Sequence, residues 1–161
     1  MAKANLKVML LRATPDPDEI VALGGMLSKD PRELNPLQMA YIGDTVHDLF
    51  VRSRLMARPA SVGKMHKQAV RMVSAFAQAR MLEALEQELT EAEADIARRG
   101  RNSQAKHAAP KHADPADYAH ATGLEALWGY LYLSGQQQRL DELIKTALMR
   151  TEDIWQKRTS R

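Results

Sequence analysis

The chain has 161 residues, a formal net charge of +3, no cysteine, 45% hydrophobic residues and only 5% aromatic residues. That length suits one domain with a sizeable core, and the lack of cysteine excludes a disulfide framework and thiolate metal sites. Abundant Ala, Leu, Met, Glu, Gln, Lys and Arg, with few β-branched runs, favour an all-α fold.

Residues 1–34 read as an N-terminal extension. Lys3 and Lys7 precede Val8-Met9-Leu10-Leu11, an apolar run too short for a signal-peptide core. Thr14-Pro15-Asp16-Pro17 then leads into a weak helical stretch near Asp18–Ser28, interrupted by Gly24-Gly25. No stretch reaches the apolar length that spans a bilayer, so the expectation is a soluble, cytoplasmic protein.

The domain proper is expected over 35–150. Asn35 as N-cap and Pro36 at the first position open a helix of about 36–57, which stops near Arg58-Pro59. Ser61 caps a long helix of about 62–88 with the stripe Met65, Ala69, Met72, Val73, Phe76, Arg80 and Leu85. Thr90 and Glu93 have capping-box spacing and open a short helix to about Arg99, with Gly100 as its stop signal. A basic loop then runs from Arg101 to His112. Asp114-Pro115 starts a helix reaching about Ser134, Gly135 ends it, and a last amphipathic helix covers about 137–150. Residues 151–161 form a charged C-terminal tail.

The positive charge is local. Residues 98–113 hold Arg98, Arg99, Arg101, Lys106 and Lys111 and no acid, so the rest of the chain sums to −2. That pattern points to an anionic partner docking on one segment. A solvated loop is the simpler alternative.

Two acids break apolar helical patterns. Asp44 has Leu37, Ala40, Tyr41, His47, Asp48 and Val51 as helical neighbours, so its carboxylate is expected to be at least half-buried. Glu125 has Tyr118, Ala121, Thr122, Trp128, Gly129 and Tyr132. Gly43 beside Asp44, and Gly129 one turn from Glu125, would let the two helices approach and bring the carboxylates together. Close carboxylates repel unless they share a proton or a cation. Oxygen ligands suit a hard ion such as Mg²⁺, which takes one or two carboxylates together with a substrate phosphate. The alternative is a structural salt bridge from Arg52, Arg54 or Arg71. Tyr118, Trp128, Tyr130 and Tyr132 fit core or dimer packing better than base stacking.

LQMAYIGDTVHDLFVR (37–52) with TGLEALWGYLYL (122–133) resembles the ribonuclease III catalytic domain, and within it the Mini-ribonuclease III subfamily, which lacks a double-stranded-RNA-binding domain. HKQAVRMVSAFAQA (66–79) and RRGRN (98–102) look like that subfamily too. The resemblance implies an all-α, homodimeric, Mg²⁺-dependent endonuclease that cuts double-stranded RNA, in this subfamily the stem flanking precursor 23S ribosomal RNA. A ribosomal protein presenting that RNA is a further partner to consider. Asp44 and Glu125 match the family's catalytic and metal-binding acids. Arg98, Arg99, Arg101, Asn102, Lys106 and Lys111 are the candidate RNA contacts. Leu37 and Ala40 stand where the wider family has glutamates, and Thr122 where it has an aspartate, which leaves the metal site short of carboxylates. Asp48 reads either as an outer partner of the metal site or as a salt-bridged acid. A non-catalytic RNA-binding or ribosome-associated protein on the same fold is the competing function.

Overall fold

The computed structural model describes residues 30–156, with the backbone alone at 155 and 156. The helical stretch expected near Asp18–Ser28 lies outside the described residues. Within them, a 3-10 turn at Pro31–Glu33 precedes seven α-helices, and there is no strand. These are α1 (Pro36–Leu55), α2 (Val62–Met72), α3 (Ala75–Leu85), α4 (Glu91–Gln104), α5 (Pro115–Leu133), α6 (Gln137–Arg150) and the short α7 (Glu152–Gln156).

Local signals set the helix starts. At α1 the Asn35 side chain accepts from the Leu37 N–H, while the Gln38 side chain accepts from the Asn35 N–H. Thr90 and Glu93 make the corresponding reciprocal pair at α4. Asp114 accepts from the N–H groups of Ala116 and Asp117 at the start of α5. Each cap satisfies backbone donors that have no partner within the helix.

Helix α5 is the axis of the domain. It is buried on every side along most of its length, and it packs against α1, α3 and α4. Such a helix, apolar all round, belongs in a core. Trp128 and Tyr132 are among its largest buried side chains, and Tyr130 is buried too, so these aromatics are core groups.

Two sequence expectations are corrected. The helix expected over 62–88 is interrupted at Val73 and Ser74, and its second part stops at Leu85. Ser74 is extended (φ −65°, ψ 152°) and its hydroxyl accepts from the Ala77 N–H, which makes it an N-cap inside the apolar stripe. The change of direction lets α3 lie against α5. Second, Gly100 does not end α4, which continues to Gln104. A Cβ at Gly100 would lie 2.7 Å from the Ala126 Cβ and 3.0 Å from the Thr122 carbonyl oxygen. The glycine therefore serves the close approach of α4 to α5, and tertiary packing overrides its helix-ending tendency. Arg101 and Asn102 consequently sit on a helix, and the connecting loop is confined to 105–114.

Candidate active site

Asp44 on α1 and Glu125 on α5 flank the closest backbone approach found at any glycine among the described residues. A Cβ at Gly43 would fall 1.7 Å from the Glu125 carbonyl oxygen, and one at Gly129 would fall 1.9 Å from that of Met39. Real Cβ atoms do not come that close, so the two helices meet backbone to backbone only because both positions are glycine. The sequence expectation that small residues draw these helices together holds.

The expected burial of Asp44 does not hold. The buried face of α1 is Met39, Ala40, Gly43, Val46, His47 and Val51. Asp44 lies just outside it and is exposed, as are Tyr41 and Thr45. No cation among the described residues neutralises it. Arg52 pairs instead with Asp48 at 2.7 Å, and Arg54 and Arg58 face Glu152 at 4.0 and 3.5 Å. Asp48 is thus a salt-bridged acid.

Glu125 is more enclosed. Burial first, and then the negative charge of Asp44, push its carboxyl up to about 8, against the opposing effect of a hydrogen bond from Gln78. Its Oε1 accepts from Gln78 Nε2 at 3.0 Å. Gln78 is 2% exposed, and its Nε2 also donates to the Val73 carbonyl at 3.1 Å, while its Oε1 is buried with no partner. Gln78 is absent from the candidate residues read from the sequence. The signal was a carboxamide among Ala77, Ala79, Met81 and Leu82, all of them buried.

A second polar group lies within the core below Asp44. His47 is 0% exposed; its Nε2–H donates to the Met72 carbonyl at 3.2 Å, and its Nδ1 accepts from Trp128 Nε1 at 3.3 Å. Those partners require a neutral ring of one tautomer, and burial pushes its pKa down. The bridge ties α1 to α5 one turn beyond each acid.

The donor set fits a hard divalent cation. Two carboxylates lie within electrostatic reach of one another, neither has a cationic partner among the described residues, and an unpartnered buried amide oxygen belongs to the side chain that holds one of them. Among the described residues no cluster of three or more His, Asp or Glu stands ready for a metal. The site is a pair. The Thr122 hydroxyl, at the position where the wider family has an aspartate, donates to the Tyr118 carbonyl at 3.0 Å.

The basic residues have unlike settings. Arg98, Asn102, Lys106 and Lys111 are exposed, and Arg98 pairs with Asp95. Arg99 turns inward and donates to the carbonyls of Arg32 (3.1 Å) and Leu34 (3.4 Å), fastening α4 to the segment that enters α1. Arg101 is half-buried, with Nη1 3.5 Å from His120 Nε2.

Comparisons with known proteins agree with this architecture. The family model described as the ribonuclease III domain matches residues 37–136. Mini-ribonuclease 3 of Symbiobacterium thermophilum is 51% identical over 119 residues, covering 73% of this chain and 91% of that protein. Mini-ribonuclease 3 of Brevibacillus brevis is 44% identical over 122 residues, covering 75% and 90%. A crystal structure of a Fusobacterium nucleatum protein superposes with a TM-score of 0.68 at 24% identity, over 76% of this chain and 98% of that one, and so shares the fold. The family match spans the run from α1 to the end of α5 that carries Asp44 and Glu125, and the chain belongs to the ribonuclease III family of endoribonucleases.

Proposed function

We propose that this endoribonuclease cleaves double-stranded RNA with Mg²⁺ held by Asp44 and Glu125. The observation that carries the reading is the approach of two carboxylates across the Gly43 and Gly129 contact with no neutralising cation among the described residues. When bound, Mg²⁺ supplies Lewis-acid activation of water and neutralises phosphoryl charge. Asp44 offers its carboxylate from the open side of α1. Glu125, whose protonated form burial and the charge of Asp44 favour, would lose that proton to solvent and hold the cation through a carboxylate oxygen. Hydrolysis at phosphorus breaks the bond to the 3′-oxygen and leaves 5′-phosphate and 3′-hydroxyl ends.

The exposed Arg98, Asn102, Lys106 and Lys111 contact phosphates and 2′-hydroxyls, the groups through which duplex RNA is read. Arg101 and Arg99 flank that surface, the latter chiefly as a tether. The working form is a homodimer, each copy cutting one strand. Tyr41, 85% exposed and one turn before Asp44, is the apolar group on that face which a second copy would cover. The substrate is the stem flanking precursor 23S ribosomal RNA, presented free or by a ribosomal protein; the Mini-ribonuclease 3 relatives support that choice of subfamily.

The test is incubation with a precursor-type RNA stem, with Mg²⁺ or with a chelator, and mapping of both cut ends. Cleavage is expected only with Mg²⁺, and Asp44→Asn should lower it at least about a hundredfold, since a catalytic cation is worth several kcal/mol and each 1.36 kcal/mol is tenfold. Binding of the stem should persist in that variant. An uncut stem in Mg²⁺, or undiminished cutting by Asp44→Asn, overturns the reading.

A further inference from the structure

The break between α2 and α3 releases successive backbone carbonyls, and each finds a side chain. Ser74 Oγ donates to Arg71 (2.8 Å), His47 Nε2 to Met72 (3.2 Å) and Gln78 Nε2 to Val73 (3.1 Å). Two of these three side chains reach onward to α5: His47 accepts from Trp128, and Gln78 donates to Glu125. The junction is therefore wired into the helix that carries the second acid. The two acceptors around Nε2, a carbonyl and a carboxylate oxygen, dictate which way the Gln78 amide faces.

We infer that Gln78 is a positioning residue for the divalent-cation site: anchored by the Val73 carbonyl at the helix break, it fixes the orientation of the Glu125 carboxylate. The inference rests on the proposed role of Asp44 and Glu125 as the cation's ligands. A glutamate side chain has three rotatable bonds, and a buried one held at one oxygen by an immobile donor has its second oxygen in a defined place before the cation arrives. Among the described residues no other side chain bonds to Glu125, so Gln78 alone supplies that restraint. Partners that orient a metal ligand in this way typically affect metal affinity or activity by about 10–100-fold.

The test uses the full-length protein and Mn²⁺ or Mg²⁺ as the probe. Gln78→Met keeps length and volume while removing both donors; Gln78→Leu is a second apolar variant. With folding verified by circular dichroism, Mn²⁺ affinity should fall about tenfold or more, and kcat on a duplex stem should fall comparably with KM little changed. A folded variant that retains wild-type Mn²⁺ affinity and kcat overturns the inference. A measurement on the wild type needs no variant. The Gln78 side-chain amide resonances should shift with Mg²⁺ along the same isotherm as the metal-induced rise in Tm. Resonances that stay still while the metal binds overturn the inference and leave the reading of Asp44 and Glu125 standing. A wild-type protein that binds neither ion overturns that reading and, with it, the role of Gln78.

Discussion

Gly43 packs directly on the Glu125 carbonyl: a Cβ there would sit 1.7 Å from the oxygen and 2.9 Å from the Gly129 nitrogen. Backbone stands on both sides of this contact, so no side chain can swing aside to admit a methyl group. Gly43→Ala should force α1 from α5, separating Asp44 from Glu125. Overpacking of this kind costs about 1–3 kcal/mol, and a contact between two backbones belongs at the upper end. Denaturant titration should show that loss, and cleavage of an RNA stem should fall with it even where the variant remains folded. A variant of unchanged stability would mean the helices do not touch here.

Glu125 makes the metal-free protein pH-sensitive in a definite direction. Its folded pKa, pushed up to about 8 by burial and by Asp44, lies above the ordinary value of 4.5. A raised folded pKa means that the protonated carboxyl stabilises the fold below about 4.5, and that this contribution is lost as pH rises through about 8. The Tm difference between Glu125→Gln and the metal-free wild type should therefore grow over that interval in favour of the variant. Mg²⁺ should narrow it at high pH by stabilising the charged carboxylate. A flat difference across the interval counts against an acid perturbed in this way.

Arg99 and the lysines of the connecting loop should separate in two measurements. Arg99→Ala removes hydrogen bonds to the carbonyls of Arg32 and Leu34, and is expected to cost about 1–2 kcal/mol of stability. Joint replacement of Lys106 and Lys111 by Ala should leave Tm nearly unchanged. It should reduce the slope of log binding against log salt by about one for each phosphate that a lysine no longer neutralises. An unaltered slope in the double variant would remove the loop from the RNA surface.

Tyr41 tests the proposed homodimer. It projects from the face of α1 that carries Asp44 and is, among the described residues, the most exposed of the large hydrophobic side chains. Tyr41→Asp should convert the protein to a monomer by light scattering, and cleavage of both strands should be lost together. A variant that stays dimeric would place the interface elsewhere.

Much of the fold could be read from the sequence because its signals are local. Asn35, Ser61, Thr90 and Asp114 each hydrogen-bond to backbone amides two or three residues ahead, so their positions along the chain were enough to place four helix starts. Asp44 and Glu125 stood out for a similar reason: an acid among apolar residues at helical spacing is visible without knowing what it faces. Ser74 and Gly100 misled because each carries a local meaning that depends on the neighbouring helix. Ser74 reads as an ordinary helix residue until α3 must turn against α5, and Gly100 reads as a stop until α5 requires close approach.

By itself, then, the sequence determined an all-α domain, the two acids on adjacent apolar patterns and the small residues that let their helices meet. Only the tertiary structure decided that Asp44 lies open while Glu125 is enclosed, that Arg52 is spent on Asp48, that Arg99 is a tether, and that Gln78 holds Glu125. These follow from distances between residues remote in the chain; Gln78 and Glu125 are separated by 47 positions. Periodicity assigns a residue to a face of its own helix. Which partner that face meets, and at what distance, is set by how the helices pack.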